Sequence, residues 1–233
     1  KEKLKQIIES QKDNKGMYSF NRCIEEMYKN KPYGLYKYGY VEDLNSIKNE
    51  DLYKYYKELV DNCKIDIFVS GDLTKNVKEV IESNENIKNL NERQAQYIID
   101  SKETQMPSEE NIIQESDNIT QGKLVIGMNL EEKDENSKNI ALLYNGILGG
   151  TANSKLFQNV REKASLAYTA NSNYVRFKSN IYINAGIEIE NYEKAFLDFE
   201  WSAEITLPAL SFAVTVNFLF FSVTPARSNS FAQ

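Results

Sequence analysis

The chain has 233 residues, 41% hydrophobic and 12% aromatic, with a formal net charge of −6. That is enough apolar chain for one large domain or two smaller ones, and its lysines and glutamates are interspersed, so no basic stripe marks a nucleic-acid binder. It contains no histidine, which excludes a Ser-His-Asp or Cys-His centre and any His-ligated zinc site within these residues.

The chain opens inside a charged helical pattern, without Met and without a signal peptide, and so reads as a fragment. KEKLKQIIESQKDN predicts a helix with an apolar stripe at Leu4, Ile7 and Ile8, and with Glu2 and Glu9 two turns apart on one face. MYSFNRCIEEMYKN predicts a second helix with Tyr18, Cys23, Ile24 and Met27 inward. A tyrosine-rich, Pro/Gly-punctuated loop follows over Lys31–Tyr40. The next helix is expected to bury Leu52, Tyr55, Tyr56 and Leu59, with capping near Ser46. KIDIFVSGD alternates at Ile65, Ile67 and Val69 and predicts a short strand, with Thr74 capping one more helix. The two cysteines, Cys23 and Cys63, lie far apart in no metal-binding spacing, which suits a reducing compartment and a cytoplasmic location.

Asn91–Ser108 is polar, lacks a sustained apolar stripe and contains Pro107, so it is expected to link two part-domains. After it, Leu124, Ile126 and Met128 alternate in an incoming strand. Asn136 or Ser137 is placed to cap a helix that buries Ile140, Leu143, Tyr144 and Ile147. That helix runs into Gly149-Gly150 and stops. A second one starts after the break, with Leu156, Phe157 and Val160 on one face, and delivers the chain into an alternating run at Leu166, Tyr168 and Ala170. Arg161 ends the helix and Tyr168 lies in the strand; on the residues alone they read as a solvated helix-end cation and a half-buried aromatic. NSNYVRFKSNIYINAGIEIE predicts a strand hairpin, and NYEKAF opens another helix. From Trp201 the composition shifts: only Glu204 and Arg227 are charged. This apolar tail reads as a frame-shifted or misassembled sequence replacing an amphipathic helix, as a membrane anchor, or as a buried core element.

The stretch GGTANSKLFQNVREKASLAY, Gly149 to Tyr168, resembles the second domain of insulinase/pitrilysin-type zinc peptidases, the group of mitochondrial processing peptidase. The resemblance implies an α+β fold, with helices packed on one side of mainly antiparallel sheets, in two part-domains. Residues 1–90 would be the second half of an N-terminal peptidase-like domain, 91–108 the linker, 109–200 the first half of a C-terminal one, and 201–233 the atypical tail. It also implies that Arg161 and Tyr168, seven apart, contact an extended peptide substrate. Glu9 falls on the family's third zinc-ligand position and Glu2 on the acidic position before it; otherwise both are solvated helix carboxylates. This chain holds no H-x-x-E-H helix, so it supplies no cofactor site of its own. Zinc would belong to the intact protein or to a partner, and Glu9 would be a ligand only if an upstream zinc motif exists. The loop over Lys31–Tyr40 resembles that of non-catalytic sister proteins. The expected role is therefore a non-catalytic, peptide-holding subunit of a two-part proteolytic chamber, paired with a second peptidase-family chain. No nucleic acid is expected, and no membrane unless the tail is genuine. The alternative is a fragment of an active zinc metallopeptidase whose motif lies before residue 1.

Overall fold

A computed structural model describes residues 1–71, 76–88, 111–117, 119–130, 134–206 and 216–225. They fall into two compact units, one from residues 1–40 with 111–225, the other from residues 41–88. The linker expected over Asn91–Ser108 and the cap expected at Thr74 lie outside the described residues.

In the larger unit, α1 (Glu2–Glu9) is joined by a 3₁₀ turn to α2 (Lys15–Met27). Asn14 caps α2, its side chain accepting from the Met17 N–H at 3.1 Å. A 3₁₀ turn at Pro32–Gly34 then folds the tyrosine loop back onto α2. Only glycine fits at position 34, because a Cβ there would run into the Tyr28 carbonyl. Tyr33 packs edge-on against Tyr28 with ring centroids 4.7 Å apart.

The smaller unit consists of α3 (Val41–Ser46), α4 (Asn49–Asn62), α5 (Val77–Ser83) and α6 (Glu85–Lys88). Here the structure departs from the sequence reading. No residue of α4 is buried, and Lys48, not Ser46, stands at its N-cap. Among the described residues, 64–70 carry no strand assignment. Asn76 caps α5, accepting from the Glu79 N–H.

The chain then returns to the larger unit as β1 (Asn111–Asp117) and β2 (Gly122–Leu130). Next come α7 (Glu135–Asn145), β3 (Ala167–Val175), β4 (Asn180–Ile187), α8 (Tyr192–Thr206) and β5 (Val216–Pro225). These strands make one five-stranded sheet in the order β1-β5-β2-β4-β3. All pairings are antiparallel except β1 with β5. The fold is thus α+β on a mainly antiparallel sheet, with one difference from expectation: helices cover both faces. One face carries Leu124, Ile126, Met128, Ile181, Ile183 and Ile187, buried under α7, α8 and the segments between them. The other carries Val125 and Tyr182, buried under Cys23 and Met27 of α2. Accordingly β2 and β4 are buried at nearly every position rather than at alternate ones, as strands covered on both sides are.

Residues Val216–Pro225 of the apolar tail form β5, inserted between β1 and β2. Among the described residues no helix is long and apolar enough to cross a membrane.

Candidate functional site

The site is built on the helix–glycine–helix–strand passage. Asp134 caps α7, accepting from both the N–H and the hydroxyl of Ser137, at 2.7 and 2.6 Å. These bonds hold its carboxyl below the usual carboxylate range. The cap is therefore two or three residues earlier than the sequence suggested. The buried stripe is Ala141, Tyr144 and Leu148 rather than one through Leu143 and Ile147; Leu143 is 70% exposed.

After Asn145 the backbone widens to π-helical geometry over Gly146–Gly150, and again over Leu156–Lys163. Such i→i+5 turns are rare and cluster at functional positions. The first glycine of the pair permits a close approach: a Cβ on Gly149 would lie 2.5 Å from the Ser172 backbone nitrogen and 2.8 Å from Leu156 Cδ1. Ser172 in turn donates to the Asn145 side-chain oxygen at 2.8 Å. This packing seats the second helical segment against β3. Leu156 and Val160 are fully buried, which turns Arg161 outward.

Arg161 lies with its guanidinium carbon 4.7 Å above the centre of the Phe157 ring and its Nε 3.7 Å from Glu162 Oε1. Both partners are weak ones for an exposed cation, so the charge stays available. The chain then turns at Ser165, a non-glycine residue at φ 52°, and enters β3. Here the strand carries a bulge: Ala167 pairs with Ile187 and Thr169 with Gly186, leaving Tyr168 between them without a partner. A bulge re-aims the side chain it adds. Tyr168 is 57% exposed, while Ala167 and Ala170 on either side are buried. Its hydroxyl donates to the carboxylate of Glu188, just past the end of β4. That bond raises the phenol's pKa, so Tyr168 stays neutral, with oxygen lone pairs free to accept.

Arg161 and Tyr168 therefore come together. With Glu162, Ser165 and Glu188 they line one cleft of about 370 Å³. A second cleft, about 590 Å³, meets it at Tyr168 and Glu188 and extends to Gln121 and Glu190. The sequence reading missed Glu188. The signal was there: a hairpin turning at 176–179 folds residue 168 back beside 186–188.

The third expected residue does not join this site. Glu9 lies at the exposed end of α1 and pairs with Lys5 at 3.8 Å, one helical turn away; Glu2 lies in the first turn of the same helix.

The larger unit is thus an α+β layer with a helix-end arginine and a strand tyrosine facing one cleft. The comparisons specify the family. Residues 46–199 match the model described as peptidase M16 inactive domain, and the chain belongs to the peptidase M16 (insulinase) family. The probable inactive metalloprotease YmfF of Bacillus subtilis (strain 168) is 37% identical over 196 residues, covering 84% of this chain and 45% of that protein. The chain thus spans less than half the length of this relative. A conserved protein of Enterococcus faecalis V583 has the same fold, with a TM-score of 0.78 at 21% identity over 98% of this chain and 68% of that one. So does a peptidase M16 inactive domain of Pseudomonas fluorescens, with a TM-score of 0.70 at 17% identity over 97% of this chain and 70% of that one.

The family resemblance raises the question of zinc. A zinc site takes three or four protein ligands around one point. Among the described residues no group of three or more such side chains converges, at Glu9 or elsewhere. These residues do not fit the metal.

Proposed function

We propose that this chain is a non-catalytic, peptide-holding member of a two-part proteolytic chamber, with Arg161 and Tyr168 in contact with an extended peptide. The observation that carries the reading is their convergence on one cleft at the start of an outer strand. β3 ends the sheet, and its sequence, AYTANSNYV, contains neither charge nor proline. Outer strands are ordinarily protected by such residues. An outer strand without them can take an added strand along its edge. In this arrangement Arg161 donates to a peptide carbonyl, and the Tyr168 oxygen, its proton committed to Glu188, accepts from a peptide N–H.

The second half of the chamber would be another peptidase-family chain. Both cysteines are free thiols, which suits the cytoplasmic location we assign.

The test is a fluorescence-anisotropy titration of a labelled, unstructured peptide. Arg161→Ala should weaken binding by about ten- to a hundredfold, the loss of one charge-assisted hydrogen bond or two. Glu162→Gln should leave it within about threefold. Equal affinity for the wild type and Arg161→Ala would refute the proposal.

A further inference from the structure

The larger of the two clefts at Tyr168 leads, through Gln121, onto the sheet face that carries Val125 and Tyr182. There three strands leave a polar notch. Thr169 of β3, Gly186 of β4 and Lys123 of β2 are register partners and stand side by side. Neighbouring strands lie about 4.8 Å apart, so the backbones of Thr169 and Lys123 are about 10 Å apart across Gly186. Gly186 has no side chain, and its neighbours fold over it. A Cβ there would lie 3.0 Å from Thr169 Oγ1, 3.1 Å from Gln121 Oε1 and 3.2 Å from Lys123 Nζ. A hydroxyl, an amide and an amine therefore converge above one glycine. Lys123 Nζ donates to Gln121 Oε1, and Thr169 Oγ1 accepts from the Gly186 N–H at 3.0 Å. Donor capacity is left over: further N–H groups on Lys123, the Gln121 amide NH2 and the Thr169 O–H.

The cation in the notch has no counter-charge in contact. Lys123 also faces a third cleft, of about 670 Å³, lined by Asp13, Asn14 and Lys15 at the start of α2. Lys15 is paired with Asp117 at 2.6 Å. Lys123 makes no ion pair among the described residues, with Asp13 or any other carboxylate. Burial lowers its pKa, and no neighbouring carboxylate offsets the shift. A part-buried cation in this state is stabilised by an incoming anion.

We infer that the notch binds a carboxylate of the held peptide, with Lys123 as the specificity-determining residue and Gln121 and Thr169 as neutral donors beside it. The inference rests on the peptide-holding reading of Arg161 and Tyr168. Tyr168 and Thr169 are consecutive, one at the cleft and the other at the notch, and Gln121 lines both. Glu188 and Glu190 make the cleft before the notch acidic, so on this path the place for a carboxylate is Lys123. Either an acidic side chain or the end of the peptide supplies it. The chain's net charge of −6 disfavours anions at long range, so a preference for them must be local.

Anisotropy titrations of the 233-residue chain with matched labelled peptides test it. One pair differs only in a free against an amidated C-terminus. A second set is amidated throughout and differs only in a single Glu or Gln, moved along the sequence. In at least one of the two, the carboxylate peptide should bind about tenfold tighter than its neutral counterpart, as one charge-assisted contact in a part-buried site gives. Preference in the first pair places the chain end in the notch; preference in the second places an acidic side chain there. Lys123→Met should abolish the preference while neutral peptides bind as they do to wild type. Arg161→Ala should weaken both members of a pair equally. Equal affinity for charged and neutral peptides, with binding still weakened in Arg161→Ala, would overturn the notch and leave the holding role standing. A preference that persists in Lys123→Met would also overturn it. Binding indifferent to Arg161 would overturn the holding reading and the notch with it.

Discussion

The seating of the cleft on Gly149 can be tested by adding one methyl group. Two glycines three residues apart occupy the same π-helical turn, and the structure assigns them opposite responses. At Gly146 the backbone is right-handed helical, φ −58° and ψ −42°, and an added Cβ meets nothing within 4 Å. Alanine there should stabilise by about 0.5–1 kcal/mol, because glycine gives up more backbone freedom on folding. At Gly149 the new Cβ would stand 2.5 Å from the Ser172 nitrogen, where ordinary contacts begin at 3.4 Å. That nitrogen belongs to a strand paired with β4 through Ile183, so it cannot yield alone. The helix must withdraw from β3 by nearly 1 Å, or the hairpin must bend. Overpacking of this kind costs about 1–3 kcal/mol, only partly offset by the gain in propensity. Urea denaturation of the two variants beside wild type measures the difference, expected to be about 2 kcal/mol between Gly146→Ala and Gly149→Ala. Two variants of equal stability would show that the glycine pair is merely a helix break and that its contact with β3 does not seat the site.

Three further outcomes follow from buried or strained groups. Tyr28 donates to Asn180 Oδ1 at 2.5 Å in the buried layer under α2, whereas the buried Tyr182 hydroxyl has no partner among the described residues. Tyr28→Phe should therefore cost about 1–2 kcal/mol in chemical denaturation and Tyr182→Phe nothing or less than nothing; the reverse order would contradict the packing described. Ser165→Gly should raise the melting temperature by roughly 2–4 °C, since a left-handed serine costs about 1 kcal/mol that glycine does not, and a lowered one would mean that the turn needs the serine side chain. Burial, with Glu115 beside Tyr18, pushes the Tyr18 and Tyr28 phenols up to about 12 from 10. Folding favours their protonated forms, so that stability is intact below pH 10 and falls as pH rises from 10 towards 12. A denaturation midpoint that stays level across that window would remove the basis for both shifts.

Much of the site could be read before any coordinates. The glycine break, the inward Leu156 and Val160, and the strand after Ser165 follow from spacing alone, and the family pattern joined Arg161 to Tyr168. What spacing could not supply was the bulge at Tyr168. Strict alternation through Leu166 and Ala170 would have put that ring on their side of the sheet, and one unpaired residue turned it to solvent. The buried stripe of α7 lay one position from the expected one: Ala141, Tyr144 and Leu148 are buried, while Leu143 and Ile147 are exposed. α4 misled for a different reason: its apolar stripe is real, but the described residues of its unit do not cover it. The strand at Val216–Pro225, inserted between two others, was not marked by the composition of the tail.

The central claim is that this protein holds peptide without cutting it. The most direct measurement incubates the protein from its complete reading frame with a labelled extended peptide, following anisotropy and fragment formation together while metal content is determined on the same sample. The account predicts saturable binding that weakens in Arg161→Ala, with the peptide intact and zinc substoichiometric. Peptide fragments together with one zinc per chain, both lost in Glu9→Gln, would contradict it.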